Sequence, residues 1–345
     1  MARRELSPAQ MAVVQGIDSV ILREVAGSAR ISTVRVACSG GADSLALTAG
    51  LAWLDAHKPD PLRHSEVMIV DHGLQSGSSE VAAGVAGVVR GLGLPAEVAR
   101  VDIHVGEEGL EAAAREARYE VLTRGDVDVV LVGHTMDDQA ETVLLGLARG
   151  SGTRSLAGMP DSWFMGHACL MRPLLDLRRA TTRQACADWG LTPWEDPMND
   201  DDRFTRVRAR RLLPVMDEAL GPGIVEALAR TAHLARLDAD YLDAQVGQND
   251  GPALPVGTVL AAPQALRGRT VRLWLAGQGI KELSFERTQA VLALVEDWRG
   301  QTGVDLPGGY RVVREKQILR LHPPPGCQAV RSVAEERRYG GWKTV

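Results

Sequence analysis

The first half of the chain alternates between two hydrophobic patterns. Short apolar runs, typical of buried strands, are each followed by a longer segment with apolar residues every three or four positions, typical of helices that face a core. The short runs predict strands over 33–38, 66–71, 96–103 and 127–133. The longer segments predict helices over 6–28, 44–57, 78–92, 108–124 and 137–149.

Strands that alternate with helices of this length form βαβ units, so we expect an α/β fold with a mostly parallel sheet. In such sheets the ligand binds beyond the carboxyl ends of the strands, near the point where strand order reverses. Three predicted strand ends carry polar residues: Ser39–Ser44, Asp71-His72 and His134–Asp138. We therefore expect these segments to converge in space.

The pattern changes after Gly150. A loop over 150–160 is followed by a helix that ends at Trp189-Gly190 and by a polar, turn-rich segment over 193–206. Helical sequence returns at about residue 207 and continues through 223–247, which we interpret as a long connecting helix.

The C-terminal part predicts a separate small domain. Gly and Pro in 250–257 are typical of a boundary, helices are expected near 263–277 and 284–299, and a hairpin over 304–322 has Gly308-Gly309 near its turn. The predicted organisation is an N-terminal domain over 1–215, a helical linker over 216–249, an α+β domain over 250–322 and a basic tail over 323–345.

The composition is that of a globular protein. Of 345 residues, 45% are hydrophobic and 24% are charged. No apolar run is long enough for a membrane span, and the charged N-terminus lacks the apolar stretch of a signal peptide, so we expect a cytoplasmic protein with no membrane partner. The cysteines lack zinc spacing and are expected to be free thiols: Cys38, Cys169, Cys186 and Cys327.

Charge is unevenly distributed along the chain. The net charge is −5, which argues against a uniformly basic nucleic-acid-binding protein. From Arg311 onwards, however, eight Lys or Arg residues accompany three Glu residues. This asymmetry favours a polyanionic partner on one side of the molecule, and a solvated basic tail would produce the same pattern.

The strongest chemical signal is Ser39-Gly40-Gly41-Ala42-Asp43-Ser44, between a predicted strand and a predicted helix. Glycines let the backbone approach phosphate oxygens, and the amides at a helix N-terminus point towards an anion. Asp43 is unfavourable beside phosphate unless a cation lies between them, which suggests Mg²⁺. The segment is not GxxxxGKS/T; it resembles the PP-loop of ATP pyrophosphatases, which split ATP between the α- and β-phosphates.

A second signal is the pair Asp138 and Glu141, three positions apart on one face of a predicted helix. Two acids near an ATP phosphate need a cation, either Mg²⁺ or a substrate ammonium. The alternative is that Asp137 and Asp138 simply favour a helix N-terminus.

Several segments together resemble tRNA(Ile)-lysidine synthetases of the shorter form. The resemblance covers nearly all of residues 30–322. It rests on the following segments, in order: Val70-Asp71-His72-Gly73-Leu74, residues 111–120, residues 133–159, Arg172-Pro173-Leu174-Leu175, Glu195-Asp196-Pro197-Met198-Asn199 and Leu306-Pro307-Gly308-Gly309.

The resemblance implies a two-step reaction on the wobble cytidine of an isoleucine tRNA with a CAU anticodon. ATP adenylates the C2 oxygen and pyrophosphate leaves; free L-lysine then attacks C2 and AMP leaves. Asp138 and Glu141 are implied to bind lysine, and His134 with Arg115 to face the α-phosphate, Arg118 being the alternative to Arg115. ATP is assigned to Ser39, Gly40, Gly41, Ala42, Asp43, Ser44, Asp71 and His72, and Mg²⁺ to Asp43.

The resemblance also assigns ATP or tRNA contacts to a segment with five arginines in nine residues, Arg203–Arg211. Arg206, Arg208 and Arg210 are the candidates, and a solvated helix face is the alternative. The last domain and the tail are expected to grip the acceptor side of the tRNA through phosphate contacts. The resemblance also allows a homodimer.

Two other functions remain open at this point. A PP-loop enzyme that places sulfur on tRNA would need paired cysteines, and the chain has no CxxC. A regulatory nucleotide-binding module without catalysis is disfavoured by the intact Ser39–Ser44 loop together with Asp138 and Glu141.

Overall fold

The computed structural model describes residues 5–27, 31–58, 64–73, 75, 77–101, 110–150, 152–247, 251–280 and 283–324. Cys327 and most of the predicted tail lie outside these residues, as do the predicted ends of the first helix and third strand and the start of the fourth helix. The chain forms two compact units, residues 1–234 and 235–345.

The first unit contains a six-stranded sheet in the order β3-β2-β1-β4-β6-β5. Its strands are β1 (Thr33–Ala37), β2 (His64–Asp71), β3 (Ala96–Arg100), β4 (Val129–Val132), β5 (Ser162–Met165) and β6 (Ala168–Met171). All neighbouring pairs are parallel except β5 with β6. The predicted α/β fold with a mostly parallel sheet is therefore confirmed.

Helices cover both faces of this sheet. In chain order, the helices as far as Ala244 are α1 (Pro8–Gly27), α2 (Ala42–His57), α3 (Ser78–Gly91), α4 (Leu110–Leu122), α5 (Met136–Ala148), α6 (Thr153–Leu156), α7 (Arg179–Asp188), α8 (Thr205–Leu220) and α9 (Ile224–Ala244). Val129 and Leu131 of β4 pack into the core with α1, α2, α3 and α7, whereas Val130 and Val132 pack into a second core with α4. Burial on both faces explains why β4 is apolar throughout.

One charged residue in a central strand ties three elements together. Arg35 of β1 is buried, and its Nε donates to Glu66 of β2 at 2.7 Å. Its Nη1 donates to the carbonyl oxygens of Leu122 and Arg124 at 2.9 Å each, at the C-terminal end of α4. The guanidinium thus satisfies carbonyls that the end of a helix leaves without intrahelical partners.

The structure corrects two details of the first unit. The segment after Gly150 contains the short helix α6 and the β5–β6 hairpin, neither of which the periodicity predicts. The helical sequence from residue 207 is also not continuous, because α8 ends at Leu220, with Gly221 as its C-cap, and α9 begins after Gly223. Both glycines have positive φ, 103° and 95°, and so interrupt the helix.

The second unit contains an antiparallel sheet in the order β7-β10-β9-β8. Its further elements are β7 (Ala253–Pro255), α10 (Val256–Ala261), α11 (Gln264–Gly277), α12 (Phe285–Glu296), β8 (Val304–Asp305), β9 (Arg311–Glu315) and β10 (Ile318–His322). The single predicted hairpin is wrong: Gly308-Gly309 lies between β8 and β9, and a second turn at Lys316-Gln317 joins β9 to β10. Trp274 fills the core of this unit, and its Nε1 donates to the carbonyl oxygen of Gly251 at 3.0 Å.

Candidate functional site

The strand order reverses beside β1, and the glycine loop begins there. β1 pairs with β2 on one side and β4 on the other, so the carboxyl ends of β1 and β4 are neighbours. Gly40 has a φ of +87°, Gly41 is the N-cap of α2, and the helix starts at Ala42. The first amides of α2 have no partners within the helix, so they can receive an anion.

Glycine at the end of β4 allows the two strand ends to touch. A Cβ on Gly133 would lie 3.1 Å from the backbone of Asp43 and Ser44. The loop is braced from elsewhere too, because the amide of Trp194 donates to the carbonyl oxygen of Gly40 at 2.9 Å. The glycine loop and the segment that begins α5 are therefore adjacent.

A cavity of about 830 Å³ opens at this edge of the sheet. Its volume lies within the range of small-molecule sites. The predicted residues that line it are Ser39, Gly41, Ala42, Asp43, Ser44, Asp71, His72, His134, Asp138, Arg206 and Arg210. Among the described residues, the wall does not include Gly40, Arg115, Glu141 or Arg208.

The acidic pair on α5 is buried and already neutralised. Arg179 donates through Nη2 to Asp138 at 2.7 Å and through Nη1 to Glu141 at 3.2 Å, and its Nε lies 3.5 Å from Asp43 Oδ2. Glu141 is fully buried and also accepts from Arg210 Nε at 2.8 Å, with Arg206 Nε at 3.8 Å. Breaking such a cluster leaves a buried charge, which is costly.

Asp138 has two roles at once. Its Oδ2 accepts from the amide and hydroxyl of Thr135 at 2.8 Å each, which closes a capping box at the start of α5. Its Oδ1 pairs with Arg179. Burial acts to raise the pKa of Asp138, but Arg179, His134 and the Thr135 hydrogen bonds outweigh it, so the pKa lies below its ordinary value. Asp138 therefore both caps the N-terminus of α5 and lines the cavity, so the two interpretations offered for it are compatible.

The pKa of Asp43 is shifted in the opposite direction from that of Asp138. Burial raises the pKa of its carboxyl, and the neighbouring Asp138 adds to this effect, although Thr182 donates to Asp43 and Arg179 lies close. The carboxylate on the cavity wall is therefore undercompensated in the ligand-free protein.

The end of β2 supplies Asp71 and His72. Asp71 accepts from the Gly73 amide at 2.9 Å and from the Ser79 hydroxyl at 2.8 Å, and hydrogen bonding, chiefly from Ser78, lowers its pKa. Burial and then Arg118 lower the pKa of His72, whose buried Nδ1 has no hydrogen-bond partner.

The structure distinguishes between the two candidate arginines of α4. Both guanidinium carbons lie over the ring of Tyr119, Arg115 at 5.5 Å and Arg118 at 5.2 Å from its centroid. Arg118 lines the cavity, whereas Arg115 is exposed and does not. Arg118, given as the alternative, is thus the one placed beside the other predicted residues.

Two side chains that the sequence did not single out, Arg179 and Thr182, contact the predicted acids, and Arg172 was named only as part of a family segment, without a role. Arg179 is the first residue of α7 and follows Arg178 at the N-cap. Cations are unfavourable at a helix N-terminus. Two arginines there are a sequence signal that carboxylates from another element hold them.

Comparison with known proteins identifies the family. Residues 11–216 match the family described as PP-loop domain, and residues 254–320 match the family described as TilS substrate binding domain. The tRNA(Ile)-lysidine synthase of Leifsonia xyli is 49% identical over 306 residues, covering 84% of this chain and 90% of that relative. The protein of the same name from Nocardia farcinica is 50% identical over 303 residues, covering 84% and 90%.

This chain belongs to the tRNA(Ile)-lysidine synthase family. The family resemblance, the PP-loop fold and the class of ATP-using ligase expected from the sequence are thereby confirmed. Among solved structures, the U34-tRNA thiolase NcsA from Methanococcus maripaludis has a TM-score of 0.53 at 16% identity, covering 66% of this chain and 78% of that chain. This likeness shows that the two chains share a fold, and nothing more.

The described residues were also expected to lack membrane-spanning helices and zinc-type clusters. Across the described residues, no helix combines the length and the apolar character that a membrane crossing requires. In the same part of the chain, no group of three or more His, Cys, Asp or Glu residues is placed to hold a metal ion. Cys38, Cys169 and Cys186 are buried thiols, and burial raises the pKa of Cys38.

Proposed function

We propose that this chain ligates free L-lysine to C2 of the wobble cytidine C34 of isoleucine tRNA with a CAU anticodon. ATP is converted to AMP and pyrophosphate, and the product is lysidine, which pairs with A instead of G. The observation that carries this proposal is that the glycine loop and Asp138, one member of the buried acidic pair, meet at one cavity wall, where Arg179 contacts both Asp43 and Asp138.

The first step adenylates the base. The C2 carbonyl oxygen of cytidine attacks the α-phosphorus of ATP, and the bond to pyrophosphate breaks. We assign the phosphates to the amides at the start of α2 and to the hydroxyls of Ser39 and Ser44. His134 and Arg118, both on the cavity wall, are assigned to the charge that develops on the α-phosphate.

The second step uses lysine. Its neutral ε-amine attacks C2, and the C2–O bond breaks as AMP leaves with the former carbonyl oxygen. Asp138 and Glu141 are assigned to the ammonium groups of lysine. Their present partner is a guanidinium, which indicates that this position accepts a cation. The second oxygen of Glu141 is buried without a hydrogen-bond partner, so it is an acceptor still to be satisfied.

The residues fit Mg²⁺ only as an ion that arrives with ATP. Asp43 offers one undercompensated carboxylate on the cavity wall, and Mg²⁺ is commonly held by one or two carboxylates together with substrate phosphates. Bound to Asp43 and the phosphates, Mg²⁺ would neutralise charge on the departing pyrophosphate. We propose no separate, fully protein-held metal site.

One assay tests the proposal. The chain is incubated with ATP, lysine and isoleucine tRNA bearing CAU, with omission of lysine as the control. We expect lysine-dependent release of AMP and a mass gain at C34 equal to lysine minus water. Methionine tRNA with the same anticodon serves as the second control. Separately, the elution volume of the protein in size-exclusion chromatography tests the proposed homodimer.

Three outcomes would reject the proposal. Incorporation of sulfur at C34 would indicate the thiolation reaction instead. Absence of AMP under every condition would indicate a binding module without catalysis. AMP release that is independent of lysine and tRNA would show that the cavity hydrolyses ATP without ligation.

A further inference from the structure

The ring of His134 is held by an arginine that takes part in no assigned step. Arg172 donates from Nε to His134 Nδ1 at 2.9 Å. A guanidinium has only donors and stays charged, so Nδ1 must be the nitrogen that carries the lone pair. A neutral His134 therefore carries its proton on Nε2, which leaves Nε2–H as the polar group that His134 offers to the cavity it lines.

Arg172 is itself fixed by the protein and not by a ligand. It is 4% exposed, its Nη1 donates to the carbonyl oxygen of Pro160 at 2.5 Å, and its guanidinium carbon lies 3.9 Å from the centroid of the Trp163 ring. Its own amide donates to the carbonyl oxygen of Asp161 at 2.8 Å. Such anchoring sets the direction of Nε before any substrate binds.

We propose that Arg172 is a positioning residue that keeps His134 as a neutral hydrogen-bond donor, with its proton on Nε2, so that His134 stabilises negative charge on the substrate and transfers no proton. The inference rests on the proposed function for the identity of that substrate. The state of the His134 ring does not depend on the proposed function, because both partners of the hydrogen bond belong to the chain itself.

The charges around His134 point the same way. A protonated ring would direct Nδ1–H at the guanidinium of Arg172. Burial is the largest influence on the ring and Arg172 the next, and together they lower the pKa of His134 to about 3. Asp138 opposes this, whereas Arg118 and Arg206 add to it. His134 is therefore neutral at neutral pH, which suits an electrophilic role and excludes it as the base that deprotonates lysine.

Nitrogen NMR of the ligand-free, ¹⁵N-histidine-labelled full chain tests the proposal without any activity. The His134 signal is identified by its loss in His134→Asn. We expect the Nε2–H tautomer and no titration between about pH 5.5 and about pH 8.5. In Arg172→Met the Nε2–H tautomer should lose its preference and the pKa of the ring should rise above its wild-type value, while burial keeps it below the ordinary value of about 6.5. Arg172→Lys, which keeps a positive charge opposite Nδ1, should restore the non-titrating ring.

A pH profile adds a second readout. Pyrophosphate release by Arg172→Met should acquire a pH dependence that follows the new pKa of His134, because protonation changes the charge that this ring presents to the substrate, whereas the wild-type chain should show none from that residue. Arg149→Met, which changes an exposed arginine just after α5, is the matched control and should leave both readouts unchanged.

A wild-type His134 that carries its proton on Nδ1, or that titrates near 6.5, would overturn the proposal. So would an Arg172→Met variant whose ring keeps both the tautomer and the pKa of the wild-type chain. If Arg172→Met does not fold, the wild-type spectrum alone decides. Failure of the lysine-dependent assay would reject the proposed function and leave the tautomer result standing.

Discussion

Arg179 and Asp138 form an ion pair of 2.7 Å on the cavity wall. The same guanidinium reaches Glu141 and Asp43, so one arginine contacts the residues assigned to lysine and the residue assigned to Mg²⁺. A lysine ammonium that enters must share these carboxylates with Arg179 or replace it. The ligand-free site thus contains an internal cation where the proposed reaction needs an external one.

Asp138→Asn should separate lysine use from ATP binding. An asparagine oxygen still accepts from Thr135, so the start of α5 keeps its cap, but the negative charge that would hold lysine is lost. We expect lysine-dependent AMP release to fall at least about 100-fold while the Kd for ATP stays nearly unchanged. Quenched-flow AMP measurements and equilibrium ATP binding test this.

Asp137→Asn is the matched control for that variant. Asp137 accepts from the amide of Arg179 at 2.7 Å and pairs with Arg178, and it does not line the cavity. It should lower the free energy of unfolding and leave lysine turnover intact. Normal lysine turnover in Asp138→Asn, or equal losses in both variants, would contradict the assignment.

Asp43→Asn should stabilise the ligand-free chain while abolishing turnover. Burial, followed by repulsion from Asp138, raises the pKa of Asp43 above the unfolded value of about 3.9. An acid with a raised pKa costs no stability below the unfolded pKa, and the cost appears as pH rises through the folded pKa. We expect the free energy of unfolding to increase by about 1 kcal/mol at pH 7 and the gain to disappear in acid.

Asp71→Asn is a control for which the expected change in the free energy of unfolding has the opposite sign. Hydrogen bonds lower the pKa of Asp71, so its ionised form contributes stability above the unfolded pKa, and this contribution is lost as pH falls through the folded pKa. Its replacement should therefore lower the free energy of unfolding at pH 7. Urea titrations at pH 7 and about pH 4 measure both variants, and a destabilised Asp43→Asn protein would refute the argument.

The glycine loop allows a second paired comparison. Gly40 has a φ of +87°, and a Cβ there would lie 2.4 Å from Val85 Cγ2. Gly41 has a φ of −70°, and a Cβ there would meet only Ser39 Oγ, at 3.7 Å. We expect Gly40→Ala to lower the free energy of unfolding by about 2 kcal/mol or more and Gly41→Ala to change it little. Thermal and urea unfolding test this, and equal losses would show that conformation is not the cause.

The main features of the site could be predicted because they are local in sequence. Ser39–Ser44 combines glycine conformation, a strand and a helix N-terminus within a few residues, and Asp138 with Glu141 follows from helical spacing. The periodicity of the strands then places both segments at one edge of the sheet. The β5–β6 hairpin escaped prediction because each strand has only four residues and β5 pairs on one side.

The partners of these residues could not be predicted in the same way. Arg179 lies 41 positions from Asp138, and Arg172 lies 38 positions from His134. Such pairs form only when the sheet assembles, and nothing in the local sequence of either arginine names its partner. The choice between Arg115 and Arg118 of α4 could not be predicted either. Both are arginines on one helix, and only the assembled fold shows that Arg118 is the one that lines the cavity.

Arg208 and Arg210 are both arginines of α8, but their side chains have different partners. Arg210 turns inward to Glu141 at 2.8 Å, whereas Arg208 is exposed and donates to the carbonyl oxygens of Asp202 and Arg203. A guanidinium at the surface of α8 is free to meet a phosphate of tRNA, and one that is paired with a buried carboxylate is not. We therefore expect Arg208 to affect tRNA binding and Arg210 to affect the proposed lysine site.

Arg208→Ala should weaken tRNA binding and reduce the slope of log Kd against log salt by about one, without changing ATP binding. Arg210→Ala should leave that slope unchanged and lower both the free energy of unfolding and lysine-dependent AMP release, because Glu141 loses a buried partner. Filter binding across a salt series, with the AMP assay in parallel, distinguishes them. Were Arg210→Ala the variant that alters the salt slope, α8 would have to present its inner face to tRNA, and Glu141 would lose its assignment to lysine.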